Sequence, residues 1–104
     1  MLIVTITAAS GCPLFRPSAK PEEACKAAKE TVDRCAAAPA DKWDTARLDA
    51  CIATYKALAT KDPDGSGLIA YGLQGCSKQT DCASAMDCIK SQNAIADRQV
   101  KSAP

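Results

Sequence analysis

Apolar residues recur at spacings of three and four in three stretches of this chain, and each stretch is bounded by residues that start or stop helices. In the first, Cys25, Ala28, Val32 and Cys35 share one face, while Lys26, Lys29, Glu30 and Asp33 occupy the rest. Pro21 followed by Glu22 and Glu23 suits a first turn, where proline's missing N–H is not needed and acids favour the helix dipole. Pro39 stops this helix by about Ala38. In the second stretch Asp41 is placed to cap, and Leu48, Cys51, Ile52, Tyr55, Leu58 and Ala59 form the stripe, with Arg47, Asp49 and Lys56 outside it. The link Ala38 to Ala40 is short enough to demand an antiparallel hairpin of helices over about 21–38 and 41–60. In the third, Thr80 or Asp81 caps a helix over about 80–97, on which Cys82, Ala85, Met86, Ile89 and Ala96 share a face and Cys88 lies beside it. The pattern predicts an all-α, three-helix domain over 22–98, with a Gly-rich turn after the second helix and a frayed tail at 99–104.

Composition changes this picture by requiring cross-links. The chain has 104 residues, one Trp, two Tyr and one Phe, and a core of Ala, Cys and a few aliphatics buries little area per residue. Roughly 1.5 kcal/mol of conformational entropy per ordered residue must still be offset. Disulfides, each worth on the order of 2 to 4 kcal/mol, fit that need.

Of the seven cysteines, six lie between Cys25 and Cys88. Cys25 stands about 14 residues before the centre of the hairpin turn and Cys51 about 12 after it, a mismatch of roughly 3 Å at about 1.5 Å rise per residue. A Cys25–Cys51 staple is therefore expected. Cys82 and Cys88 are six apart, which on a helix turns them away from each other. Two partitions survive. Cys35 with Cys88 and Cys76 with Cys82 is preferred, and Cys35 with Cys82 and Cys76 with Cys88 is the alternative.

The charges, 13 basic against 12 acidic, are interleaved along the chain. No Lys/Arg stripe with interspersed aromatics exists to track phosphates, so nucleic acid is not an expected partner. With no histidine in the sequence, Ser/His and Cys/His nucleophile pairs have no base. No catalytic residue is assigned, and no cofactor is expected. Zinc finds neither histidine nor a Cys-x-x-Cys pair.

The N-terminus carries a resemblance. Met1 to Ala9 is apolar apart from two threonines, and Ser10-Gly11-Cys12 follows at once, then Pro13, Pro17 and Pro21. This is similar to a bacterial lipoprotein signal peptide, whose lipobox ends in two small residues and a cysteine that is lipidated as the first residue of the mature protein. Ala9 stands where that family usually has Leu, and no Lys or Arg precedes Arg16. The resemblance implies that residues 1–11 are removed, that Cys12 anchors the domain to a membrane, and that 12–21 is a Pro-rich tether. Pro13 rather than Asp after the anchor implies an outer-membrane or surface destination. Assigning Cys12 to lipid also leaves an even set of cysteines.

Asp62-Pro63-Asp64-Gly65-Ser66-Gly67-Leu68-Ile69 resembles the first eight positions of an EF-hand calcium loop, with Asp62, Asp64 and Ser66 as ligands. Leu73 stands where the bidentate Glu should be and Ala70 at the ninth position, so any calcium site would be weak and a capped turn is the expected structure. Cys25 and Cys35 also resemble half of a twin-cysteine hairpin of the mitochondrial intermembrane space, but the second helix carries only Cys51.

The expected function is that of a lipid-anchored cell-envelope protein with a non-catalytic structural or binding role, partnered by the membrane through Cys12 and by a protein of the envelope. A freely secreted disulfide-stabilised effector, toxin or inhibitor is the alternative, and a weak calcium-responsive module a second.

Overall fold

The structure, a computed structural model, describes residues 18–102. The expected signal peptide at 1–11, Cys12 and most of the tether lie outside the described residues, as do the last two residues of the expected tail. Four α-helices make up the domain: α1 (Pro21–Cys35), α2 (Thr45–Lys61), α3 (Pro63–Gly75) and α4 (Cys82–Lys101), with short 3₁₀ turns at Pro39–Asp41 and Cys76–Lys78. There is no strand among the described residues.

α1 begins as its sequence dictates, with Pro21 in the first turn and Glu22 and Glu23 at the positive end of the dipole. Its buried face comprises Ala24, Cys25, Ala28, Thr31 and Val32. It ends at Cys35, three residues earlier than expected: Ala36 is already extended, as is Ala38 before Pro39. Asp33 Oδ1 accepts from Trp43 N–H at 3.0 Å, folding the link back over the last turn of α1. Asp41 does not cap α2, because the 3₁₀ turn absorbs it. Asp44 does, accepting from Arg47 N–H at 2.8 Å.

The main departure from the expected architecture is α3. The stretch read as a Gly-rich turn is helical, and Asp62 serves both neighbours: its N–H donates to Leu58 O at 2.7 Å, closing α2, and its carboxylate accepts from Gly65 N–H at 3.1 Å, opening α3. Ser66, Ala70 and Leu73 are its buried residues, at helical spacing. Two of the glycines that argued against a helix sit where neighbours approach closely. A Cβ on Gly67 would stand 3.0 Å from Ser18 Cβ, and one on Gly72 would stand 2.7 Å from Gln92 Oε1. Packing outweighs the low intrinsic propensity.

Asp81 caps α4 through Ser84 N–H at 2.9 Å, as expected for one of the two proposed caps. The helix runs to Lys101 rather than fraying from 99, because the Lys61 ammonium reaches Val100 O at 3.1 Å and also bonds Ser102 O.

Contacts fix the directions. Trp43 with Asp33, and Lys56 with Glu22 at 3.4 Å, make α1 and α2 antiparallel. Tyr55 meets Asn93 and Lys61 meets Val100, so α2 and α4 run parallel. Gly72 faces Gln92 and Cys76 bonds Cys88, so α3 opposes α4. The result is an up-down-up-down bundle in which every pair of helices touches. Such close mutual approach follows from the small residues Ala24, Ala28, Ala70, Ala85 and Ala96, all buried, with Tyr55, Leu58 and Leu73 filling the middle. No buried side-chain polar atom among the described residues lacks a partner. Among the described residues no helix is long and apolar enough to cross a membrane.

Candidate functional site

The six cysteines of the domain are joined as Cys25–Cys51, Cys35–Cys82 and Cys76–Cys88, with Cα separations of 6.0, 5.3 and 5.5 Å. The hairpin staple lies where helical rise places it. The preferred partition of the other four is corrected in favour of its alternative. Cys82 is the first residue of α4 and meets the last residue of α1, whereas Cys88 lies farther along α4 beside the end of α3. The bridges differ in environment. Cys25, Cys51 and Cys76 are buried, Cys88 and Cys35 are half-buried, and Cys82 is exposed.

Asp62, Asp64 and Ser66 do not form a calcium loop. Asp62 is committed to Gly65 N–H, Asp64 is exposed in the first turn of α3, and Ser66 is buried with its hydroxyl on Pro63 O at 3.1 Å. A helix spreads these three oxygens around its axis instead of converging them. No cluster of His, Cys, Asp and Glu that could hold a metal occurs among the described residues.

What the bundle does build is a groove between α1, α2, α4 and the α1–α2 link. Its two lobes share Trp43, Arg47 and Asn93. The smaller, about 430 Å³, continues between Ala50 and Thr54 of α2 and Ala94 and Asp97 of α4. Small side chains facing each other leave this space. The larger, about 660 Å³, has Val32, Met86 and Ile89 among its lining residues, with Asp41 and Lys90 contributing charge. Val32 and Ile89 belong to the buried core, at 2% and 3% exposed, so the floor of this lobe is continuous with the core.

Polar groups of the groove are held from below. Tyr55, 1% exposed, donates its hydroxyl to Asn93 Oδ1 at 3.1 Å. Burial pushes the Tyr55 phenol well above its ordinary value, so it stays neutral. The Asp33 carboxyl is held below its ordinary value, chiefly by the Lys29 ammonium and also by Trp43 N–H. Trp43 is thereby fixed through its backbone at the junction of the two lobes. Asp97 pairs with Lys101 at 3.0 Å. Arg47 and Lys90 pair with no carboxylate among the described residues. The groove therefore offers an apolar wall, an indole, an amide and two unneutralised cations, a set suited to holding a molecule.

The sequence reading assigned no role to Trp43, Lys90 or Asn93, and placed Arg47 only on a polar face. The available signal was Trp43, the sole Trp, in a short link between two helices where no core periodicity accounts for it. No family model, curated protein or solved structure matches the chain.

Proposed function

We propose that this chain is an exported, lipid-anchored cell-envelope protein whose disulfide-stapled helical domain has a non-catalytic binding role, carried out at the Trp43 groove. The observation that carries the reading is the cysteine arithmetic: six of seven cysteines are consumed in three bridges within the bundle, which leaves Cys12 without an intramolecular cysteine partner. Disulfide frameworks belong to oxidising compartments, so the bridges support export. Cys12 itself stands directly after Ser10-Gly11, in the context of a lipobox. The chain enters the bundle beside α3, where Ala19 N–H donates to Gly67 O at 3.2 Å. That leaves five residues between Cys12 and Ser18, a reach of roughly 20 Å when extended, so the domain sits close to the membrane that holds it.

Expression in a bacterium supplied with labelled fatty acid tests this reading. The wild-type protein incorporates label, and Cys12→Ser abolishes it. Unchanged labelling would remove the anchor. A cleaved, unlipidated mature mass carrying three disulfides would instead establish the freely secreted alternative.

A further inference from the structure

We propose that the larger lobe of the groove binds a small amphipathic carboxylate, its hydrocarbon body against Val32, Met86 and Ile89 and its carboxylate between Arg47 and Lys90. The inference rests on the groove being the binding site, and it adds the chemical class of the ligand. The lobe, about 660 Å³, falls in the range of roughly 300–1,000 Å³ typical of small-molecule sites. Its apolar lining continues directly into the core, so a hydrocarbon body placed there gains burial that water cannot supply.

Charge decides the class. Arg47 and Lys90 line this lobe, and neither lies within salt-bridge distance of a carboxylate among the described residues. Asp41 is the lobe's acid, so two cations stand against one anion. A neutral ligand would leave both cations unused, and a cationic one would be opposed by them. A carboxylate accepts from the Arg47 guanidinium in a planar two-point geometry and from the Lys90 ammonium as a point charge. The Asn93 amide oxygen accepts from Tyr55, so the donor this lining residue has left to offer a ligand is its N–H₂ group.

Trp43 makes the test direct, because it is the only Trp in the chain and lines the lobe. Full-length Cys12→Ser protein, oxidised and free of lipid, is titrated with decanoate, decanol and decyltrimethylammonium, each followed by calorimetry and by Trp43 emission. Decanoate binds, shifts the emission, and binds more tightly than the other two. In the Arg47→Gln/Lys90→Gln double variant its Kd rises about tenfold, from two partly exposed ion pairs, while that of decanol changes less than about twofold. Both substituted residues are exposed, and the melting temperature checks that the bundle is intact. Equal affinity for all three probes, or decanoate binding unaffected by the double variant, overturns the carboxylate assignment while leaving the groove. Absence of binding by any probe, or binding without a change in Trp43 emission, overturns the groove itself. Neither outcome bears on labelling at Cys12.

Discussion

The Tyr55 hydroxyl donates to Asn93 Oδ1 at 3.1 Å, tying the middle of α2 to α4 beneath the groove. Removing it with Tyr55→Phe strands the amide oxygen and lowers stability by about 1 kcal/mol, measured by denaturant titration. The same variant changes the alkaline limb. Because burial raises the folded-state pKa above the ordinary 10.0, the unfolded chain loses its phenolic proton first, and stability falls as pH rises past that value. Tyr55→Phe flattens this fall. A limb as steep as that of the wild type would overturn the assignment of this fall to Tyr55.

Asp62 closes one helix and opens the next. Asp62→Ala costs about 1 kcal/mol through loss of the cap to Gly65. Millimolar calcium leaves the melting temperature of wild type and variant alike unchanged, since the three oxygens do not converge. A calcium-dependent rise in the wild type that the variant lacks would restore the loop reading.

Gly75, the last residue of α3, has helical angles of φ −64° and ψ −21°, and a Cβ there meets nothing within 4 Å. Gly75→Ala therefore narrows the unfolded ensemble without strain in the fold. An increase of about 0.5–1 kcal/mol, or about 4 °C in Tm, is expected.

Of the three bridges, only Cys35–Cys82 has an exposed sulfur-bearing residue. Mild reduction followed by alkylation and mass spectrometry labels Cys35 and Cys82 before the other four. Equal labelling of all six would mean that the bundle opens globally before any bridge is reduced. Cys35→Ser with Cys82→Ser removes a cross-link spanning 47 residues and costs on the order of 4 kcal/mol by loop closure.

The helical class, the hairpin and the caps of α3's neighbours differ in how far periodicity could reveal them. α1, α2 and α4 carry apolar stripes long enough to be read locally, and Cys25–Cys51 follows from helical rise alone. α3 was hidden because its four glycines signal a turn, and only the approach of Ser18 and Gln92 explains two of them. The cap shifted from Asp41 to Asp44 because Pro39 initiates a 3₁₀ turn instead of leading straight into α2. Cys76 follows α3 directly, so its place relative to α4, and with it the partition of the last four cysteines, depends on a helix that no local pattern records. The groove was illegible for a related reason: its walls come from three helices and a link, and no local pattern records which side chains face a common space.

The order of the bridges along the chain, first with third, second with fifth and fourth with sixth cysteine of the domain, has a consequence for proteolysis. Every peptide bond between Cys25 and Cys88 is spanned by at least one bridge, so a single cut anywhere in that span releases no fragment. From Cys51 to Cys76, including the α2–α3 corner at Asp62, Cys35–Cys82 is the sole span. A protein nicked at that corner stays in one piece in an oxidising medium and separates into two independently stapled halves once its most accessible disulfide is reduced.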